Sequence, residues 1–243
     1  MDNCTPSISV IVSTYNSEEW LEKVLWGFHQ QSYRDFEVVI ADDGSGPRTK
    51  DLIGSMADTV FYKILHVWQE DEGFQKSKIL NKALKACRAE YVIMTDGDCI
   101  PRKDFVEVHQ FNKAAGHFIS GGYFMLPMNI SQIITKEDIE EQNCFNIKWL
   151  EAQGHNSSGW KVDILRINGF DERMQYGGQD RELGERLVNS GIKPIQLRYS
   201  AICVHLDHKR GYKTEASIHK NKFIRKEVKK KRSSWTDYGL IKK

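Results

Sequence analysis

The sequence predicts an α/β protein built on a mainly parallel, Rossmann-like sheet flanked by helices, and three observations predict it. β-branched runs alternate with stretches of helical periodicity through the first half of the chain. The ends of these runs carry unusual polar clusters. The 243 residues, 40% of them hydrophobic, suffice for a sizeable core.

Ile8–Thr14 (ISVIVST) is nearly continuous in β-branched residues, the composition of a strand buried on both faces. Asn16-Ser17-Glu18-Glu19 then carries a capping-box pattern, after which Trp20, Leu21, Val24, Leu25 and Phe28 recur at helical spacing. Residues 36–41 (FEVVIA) predict a second buried strand running into Asp42-Asp43-Gly44-Ser45, and residues 61–68 a third. Ile79, Leu80, Ala83, Leu84 and Cys87 mark a further amphipathic helix, and residues 91–95 the next strand. This alternation implies right-handed βαβ units. Ligands of such sheets bind outside the carboxyl ends of the strands. Those ends carry Thr14-Tyr15-Asn16, Asp42-Asp43 and Asp96-Gly97-Asp98.

The second half is less regular. Residues 105–115 predict a helix, 118–126 a strand, 136–150 a helix, 153–159 a Gly/Asn/Ser loop, 180–190 a short helix and 195–205 a strand. Neither internal repeats nor a low-complexity linker interrupts the chain, so one domain over 1–219 is expected, followed by a basic extension at 220–243.

That extension holds ten Lys/Arg and two acidic residues, which leaves the rest acidic overall within a total of 35 basic and 33 acidic. The asymmetry points to an anionic partner, phospholipid or nucleic acid, or else to a solvated tail. Residues 1–7 are polar, the apolar run after them is too short for a secretory leader, and no stretch reaches the roughly 18 apolar residues of a membrane span. A cytoplasmic protein, soluble or peripheral on the inner membrane, is the expectation. Cys4, Cys87, Cys99, Cys144 and Cys203 are scattered without CxxC spacing, which argues for buried free thiols over a disulfide framework or zinc site. GxGxxG is absent, which argues against a dinucleotide-dependent oxidoreductase.

Asp96 and Asp98 bracket a glycine at a strand end. Hard oxygen ligands at this spacing suit Mg²⁺ or Mn²⁺, which also bind diphosphate oxygens.

These segments together resemble the inverting, GT-A fold glycosyltransferases called family 2. The resemblance runs through Ser9 to Asn16, Phe36 to Ser45, Gly73-Phe74 with Asn81, and Asp96-Gly97-Asp98, covering most of residues 7–100. It implies a nucleotide-sugar-binding half over 1–100 and a smaller acceptor-binding, catalytic half over 101–219. Thr14, Tyr15 and Asp43, with Asn16 beside them, would hold the nucleoside, Asp43 accepting from a uracil N–H. An Asx-type turn is the competing reading of Asp42-Asp43-Gly44-Ser45. Asp96 would touch ribose or metal, and Asp98 and His205 would ligate the metal. His208, Lys209 and Arg210 are read as phosphate contacts. The resemblance sets Lys78 and Asn81 beside the diphosphate and sugar, although Lys78 equally suits a solvated helix face.

Residues 168–183, with Tyr176-Gly177-Gly178-Gln179-Asp180, look like the acceptor side of galactosyl- and N-acetylgalactosaminyl-transferases, with Gln179 where those enzymes usually carry glutamate. Asp180 is then the general base, or alternatively an N-cap, or both. Gly178 lets the backbone approach the sugars, Gln179 can bind their hydroxyls, and Trp149 and Trp160 offer stacking faces.

The implied activity is metal-dependent transfer from a UDP-sugar, with Mn²⁺ or Mg²⁺, to a saccharide or lipid-linked glycan acceptor in polysaccharide or lipopolysaccharide biosynthesis. The rivals are a nucleotidyltransferase and a nucleic-acid-binding protein using the basic tail. The first would usually show a glycine-rich, Arg/Lys-bearing loop after the first strand, where this chain has Thr14-Tyr15-Asn16. No nucleic acid is expected as partner.

Overall fold

The β-branched runs become strands buried along their whole length. β1 (Ile8–Thr14) and β2 (Phe36–Asp42) have no exposed residue. The computed structural model describes residues 5–145, 153–197, 199–208 and 211–242. The other strands are β3 (Lys63–Trp68), β4 (Tyr91–Asp96), β5 (Cys99–Pro101), β6 (His117–Met125), β7 (Gln153–Trp160), β8 (Lys193–Gln196) and β9 (Ile202–His205). The helices are α1 (Glu18–His29), α2 (Pro47–Ala57), α3 (Lys76–Ala86), α4 (Phe105–Asn112), α5 (Met128–Ile133), α6 (Lys136–Glu140), α7 (Lys161–Arg166), α8 (Gln179–Asn189) and α9 (Glu215–Lys231).

One sheet carries the strands in the order β3-β2-β1-β4-β7-β6-β9-β5, with β8 also on β6. β3, β2, β1 and β4 are mutually parallel, as the βαβ reading requires. β7 reverses direction against both β4 and β6, and β9 returns parallel to β6. Alternating side chains supply the two faces. Ile8, Val10 and Val12 join α1 in one core, whereas Ile11, Val39 and Ala41 meet α3, α7 and α8 in the other.

Several expectations are corrected. Ser17 is the N-cap of α1 but makes no side-chain cap bond, so the capping box does not form. The helix expected over 136–150 is the short α6, closed by a Thr135–Asp138 capping box, then a single 3₁₀ turn at Asn143–Phe145. Residues 146–152, Trp149 among them, lie outside the described residues. The expected loop at 153–159 is β7, a strand in the middle of the sheet. The strand expected over 195–205 is two, β8 and β9, with Ala201 (φ 51°) in the connection between them.

The basic segment is also no appendage. α9 begins before Lys220, lies against α8 and buries Asn221, Ile224 and Val228. Residues 232–242 then run back across the turn at Asn168 (φ 70°). The Asn168 amide donates to the carbonyls of Thr236 and Ile241, and its oxygen accepts from Ile241 N–H. Leu240 packs on the second core. Cys87, Cys99, Cys144 and Cys203 are free and buried, as expected. Among the described residues no helix is long and apolar enough to cross a membrane.

Candidate active site

A cleft of about 650 Å³ opens at the carboxyl ends of β1, β2 and β4 and is closed from the other side by the start of α8 and the end of β9. Thr14, Tyr15, Asn16, Asp43, Asp96, Asp98, Gly178, Gln179, Asp180 and His205 all line it.

On the β2 side the aspartate pair divides its work. Asp42 makes the Asx-type turn, accepting from Ser45 N–H at 2.8 Å, while Asp43 faces the cleft. Gln69 Nε2 donates to Asp43 at 2.6 Å and Gln75 N–H at 2.9 Å. Burial nevertheless pushes the Asp43 carboxyl above its ordinary value, against those two donors. Asn16 (φ 44°) ties the β1 end to this turn, its N–H donating to the Ser45 hydroxyl and its side-chain oxygen accepting from Gly46 N–H. Tyr15 donates to Asp71 at 2.7 Å, and its ring meets that of Tyr212 edge-on at 5.7 Å. Phe74 packs against both Tyr212 and Tyr176 and so extends an aromatic wall along the cleft.

At the end of β4, Gly97 packs so tightly under β1 that a Cβ would sit 2.8 Å from the Ser13 carbonyl oxygen. Only glycine allows this approach, which turns the two flanking aspartates out at the strand end. Asp96 accepts from Ser13 Oγ at 2.8 Å and from Lys76 Nζ at 2.5 Å. Burial works against the Lys76 ammonium, but Asp96, with Asp98 and Asp180 further off, holds its pKa above the ordinary value.

Asp98 is positioned by the antiparallel pairing of β5 with β9, which sets Cys99 opposite His205 and hydrogen-bonds Leu206 N–H to the Asp98 carbonyl at 2.8 Å. His208 Nε2 lies 2.9 Å and His205 Nε2 3.6 Å from Asp98 Oδ2. The two imidazoles stack at 5.9 Å. Burial acts to raise the Asp98 carboxyl, but the His208 hydrogen bond and the positive charges of His205, His208 and Lys76 hold it well below the usual carboxylate range. The ligand atoms of Asp98, His205 and His208 all lie within 4.8 Å of one another. One carboxylate oxygen and two imidazole nitrogens at this spacing fit a divalent transition ion such as Mn²⁺ better than Mg²⁺, which prefers oxygen alone. Asp96 lines the same cleft but lies outside this cluster.

Asp180 is the second residue of α8. The N-cap is Gly178, whose left-handed backbone (φ 85°) suits glycine, so Asp180 is not the cap. α8 is fixed by Arg186, fully buried, which pairs with Glu182 at 2.6 Å and donates to the Ile167 and Gly169 carbonyls. Gln179 lines the cleft, although its amide nitrogen donates to the Gln175 carbonyl at 2.7 Å.

Three expected contacts do not face the cleft. Asn81 spends its amide on Phe170 N–H, the Phe170 carbonyl and Glu172, and so clamps the turn before α8. Lys78 pairs with Glu72 at 3.0 Å on the surface. Trp160 packs edge-on against Tyr91 at 5.3 Å and donates to the Ala114 carbonyl. Lys209 and Arg210 lie outside the described residues. Sequence reasoning did not single out Lys76, Tyr212 or the place of His208 beside Asp98. The hint for Lys76 is its position at the start of α3, just after the loop that leads from β3, and His208 stands three residues after His205.

The architecture, a mixed α/β fold on a mainly parallel sheet, is similar to that of GT-A glycosyltransferase structures. At 23% identity, the mannosyltransferase PcManGT from Pyrobaculum calidifontis, in complex with GDP-Man and Mn²⁺, aligns with a TM-score of 0.61 over 86% of this chain and 59% of that one. S. aureus TarS 1-349 in complex with UDP-GlcNAc aligns at 0.57 and 17% identity, covering 93% of this chain and 69% of that chain. Residues 9–119 match glycosyl transferase family 2. Validoxylamine A glucosyltransferase of Streptomyces hygroscopicus subsp. limoneus is 26% identical over 91% of this chain and 57% of its own length. Chondroitin synthase of Escherichia coli is 25% identical over 76% of this chain and 32% of its own. The chain thus spans 57% and 61% of the two validoxylamine A glucosyltransferases it matches.

Proposed function

We propose that the chain is an inverting glycosyltransferase that moves a sugar from a UDP-sugar to a saccharide hydroxyl, with Mn²⁺ or Mg²⁺, in polysaccharide assembly. One observation carries the reading: Asp43, the Asp98–His205–His208 cluster and Asp180 line a single cleft. The glycosyltransferase relatives support it, as do the structural relatives with GDP-Man and Mn²⁺ or with UDP-GlcNAc.

Single-step displacement at the anomeric carbon needs a base on one side and charge neutralisation of the diphosphate on the other. Asp43 accepts a nucleobase N–H, and the uracil assignment rests on the family resemblance. Asp96 faces the ribose, and Tyr15 and Tyr212 wall the nucleoside. Lys76 supplies fixed positive charge beside the aspartates. A divalent cation held by Asp98, His205 and His208 would neutralise the departing diphosphate. Asp180 takes the proton of the acceptor hydroxyl, help worth on the order of 10²–10⁴-fold. A cytoplasmic place on an anionic membrane surface, through exposed lysines of α9, belongs to the same proposal and rests on charge alone.

The test is calorimetric titration of UDP- and GDP-sugars with and without Mn²⁺. UDP-sugar binding that requires the metal and disappears in Asp98→Ala is expected. Nucleotide-sugar binding indifferent to both metal and Asp98→Ala would contradict the proposal.

A further inference from the structure

A second groove, about 490 Å³, adjoins the cleft and shares Ser157 and Asp180 with it. α8 and α9 line it together with Phe118 and Ser120 of β6 and Asn156 and Ser157 of β7. The two helices run side by side in the same direction: Asn221 caps the carbonyls of residues 175–177 just before α8, and Asn189 at the end of α8 donates to the Ser233 carbonyl just after α9. The groove therefore leads from Asp180 away from the cleft. An acceptor that offers one hydroxyl to Asp180 has its remaining sugars to place, and this is the adjoining space of saccharide size.

The charge of the groove is specific. Arg225 donates through Nε and Nη2 to Glu185 Oε1, and Lys229 lies 3.3 Å from the same oxygen. One carboxylate thus faces two cations, which leaves positive charge uncompensated. Arg181, exposed on α8, adds to it. Arg225 Nη1 lies near Gly178, 3.8 Å from where a Cβ there would stand, at the mouth shared with the cleft. Lys222 and Lys226 fall on the same side of α9 by their spacing from Arg225 and Lys229, so the positive stripe continues along the helix.

We infer that the acceptor is an acidic saccharide whose carboxylate or phosphate, on a sugar next to the one being glycosylated, is held by Arg225 and Lys229. Glu185 pre-orients the guanidinium, and Arg225 then has donors left for a planar anion. This inference rests on the reading of Asp180 as the residue that faces the acceptor.

The experiment compares three probes on the full chain with Mn²⁺ and UDP: a hexuronate-containing oligosaccharide, its carboxyl-reduced neutral counterpart, and a sugar-phosphate oligomer. Affinities are measured at about 50 mM and about 500 mM salt. At least one acidic probe is expected to bind about ten-fold tighter than the neutral one, with the advantage shrinking in high salt. The uronate and phosphate arms tell the two anion sources apart. Arg225→Gln and Lys229→Gln should each erode the preference. If Arg225→Gln fails to fold, Lys229→Gln carries the test, because its side chain is 63% exposed. Acidic and neutral probes binding alike, or a preference that survives in Lys229→Gln, overturns the inference. Failure of the unaltered chain to bind UDP-sugar would instead overturn the glycosyltransferase reading beneath it.

Discussion

The two halves of the chain bring aspartates into the cleft by opposite routes. Asp43 and Asp96 stand at the ends of parallel strands whose spatial order, β2-β1-β4, follows from successive βαβ steps. Asp98 meets His205 only because β5 pairs with β9, and Asp180 is held in place through Arg186, the turn at Asn168 and the strap of residues 232–242. The Asp43 side of the cleft is set by local sequence, whereas the side of Asp98 and Asp180 is set by long-range packing. Damage far along the chain should therefore reach Asp98 and Asp180 before it reaches Asp43.

The comparison breaks most sharply at Asp180. Asp180→Asn should lower kcat by about 10²–10⁴-fold with donor affinity retained, measured by turnover and by calorimetry on the same variant. Retained turnover would remove Asp180 from the base role. Next in size is Asn168→Ala, which takes three hydrogen bonds from the strap and leaves buried partners unmet. A loss of about 2–4 kcal/mol in chemical denaturation is expected. A loss under about 0.5 kcal/mol would show that the strap is not integral.

Opposite pH signs separate the two sides further. At Asp171 burial acts to raise the carboxyl, but Arg173 and the Thr236 hydroxyl hold it below the ordinary value. Its contribution is thus complete above the ordinary value and is lost as pH falls through the folded one. Asp43, raised by burial, contributes most below its ordinary value and loses that as pH rises through the folded one. Asp43→Asn should therefore leave neutral-pH stability unchanged or higher while weakening UDP-sugar about ten-fold. Asp171→Asn should flatten the acid limb of the stability profile. Equal pH profiles for the two variants would erase the distinction. The smallest effect belongs to Lys78→Ala, within about 0.5 kcal/mol in stability and without effect on donor affinity, since the Lys78–Glu72 pair is exposed. A large loss of affinity there would return Lys78 to the donor site.

The same contrast governs what the sequence revealed. β1, β2 and β4 were legible as apolar runs, and with them Thr14, Asp43, Asp96 and Asp98. β7 was not, because its residues QGHNSSGW carry no apolar pattern. In its place stands a buried polar network: His109 bridges Asn156 and Ser158, Ser158 reaches Tyr91, and Asn156 bonds the carbonyls of Gly122 and Ala201. Satisfied hydrogen bonds do there what apolar side chains do elsewhere. α9 was hidden for a related reason. Its inward stripe begins with Ser217 and Asn221, so that the lysines around it read as a solvated tail. Asn81 was read as a donor contact, whereas its amide is bound to Phe170 and Glu172 and orders the turn before α8.

Crystals grown with UDP and Mn²⁺, with data collected at the manganese edge, test the convergence of these groups most directly. The account predicts an anomalous peak among Asp98, His205 and His208, nucleoside density against Asp43, and Asp180 facing the same space from the opposite wall. Manganese bound elsewhere, or a nucleotide on a surface that Asp43 and Asp180 do not share, would contradict it.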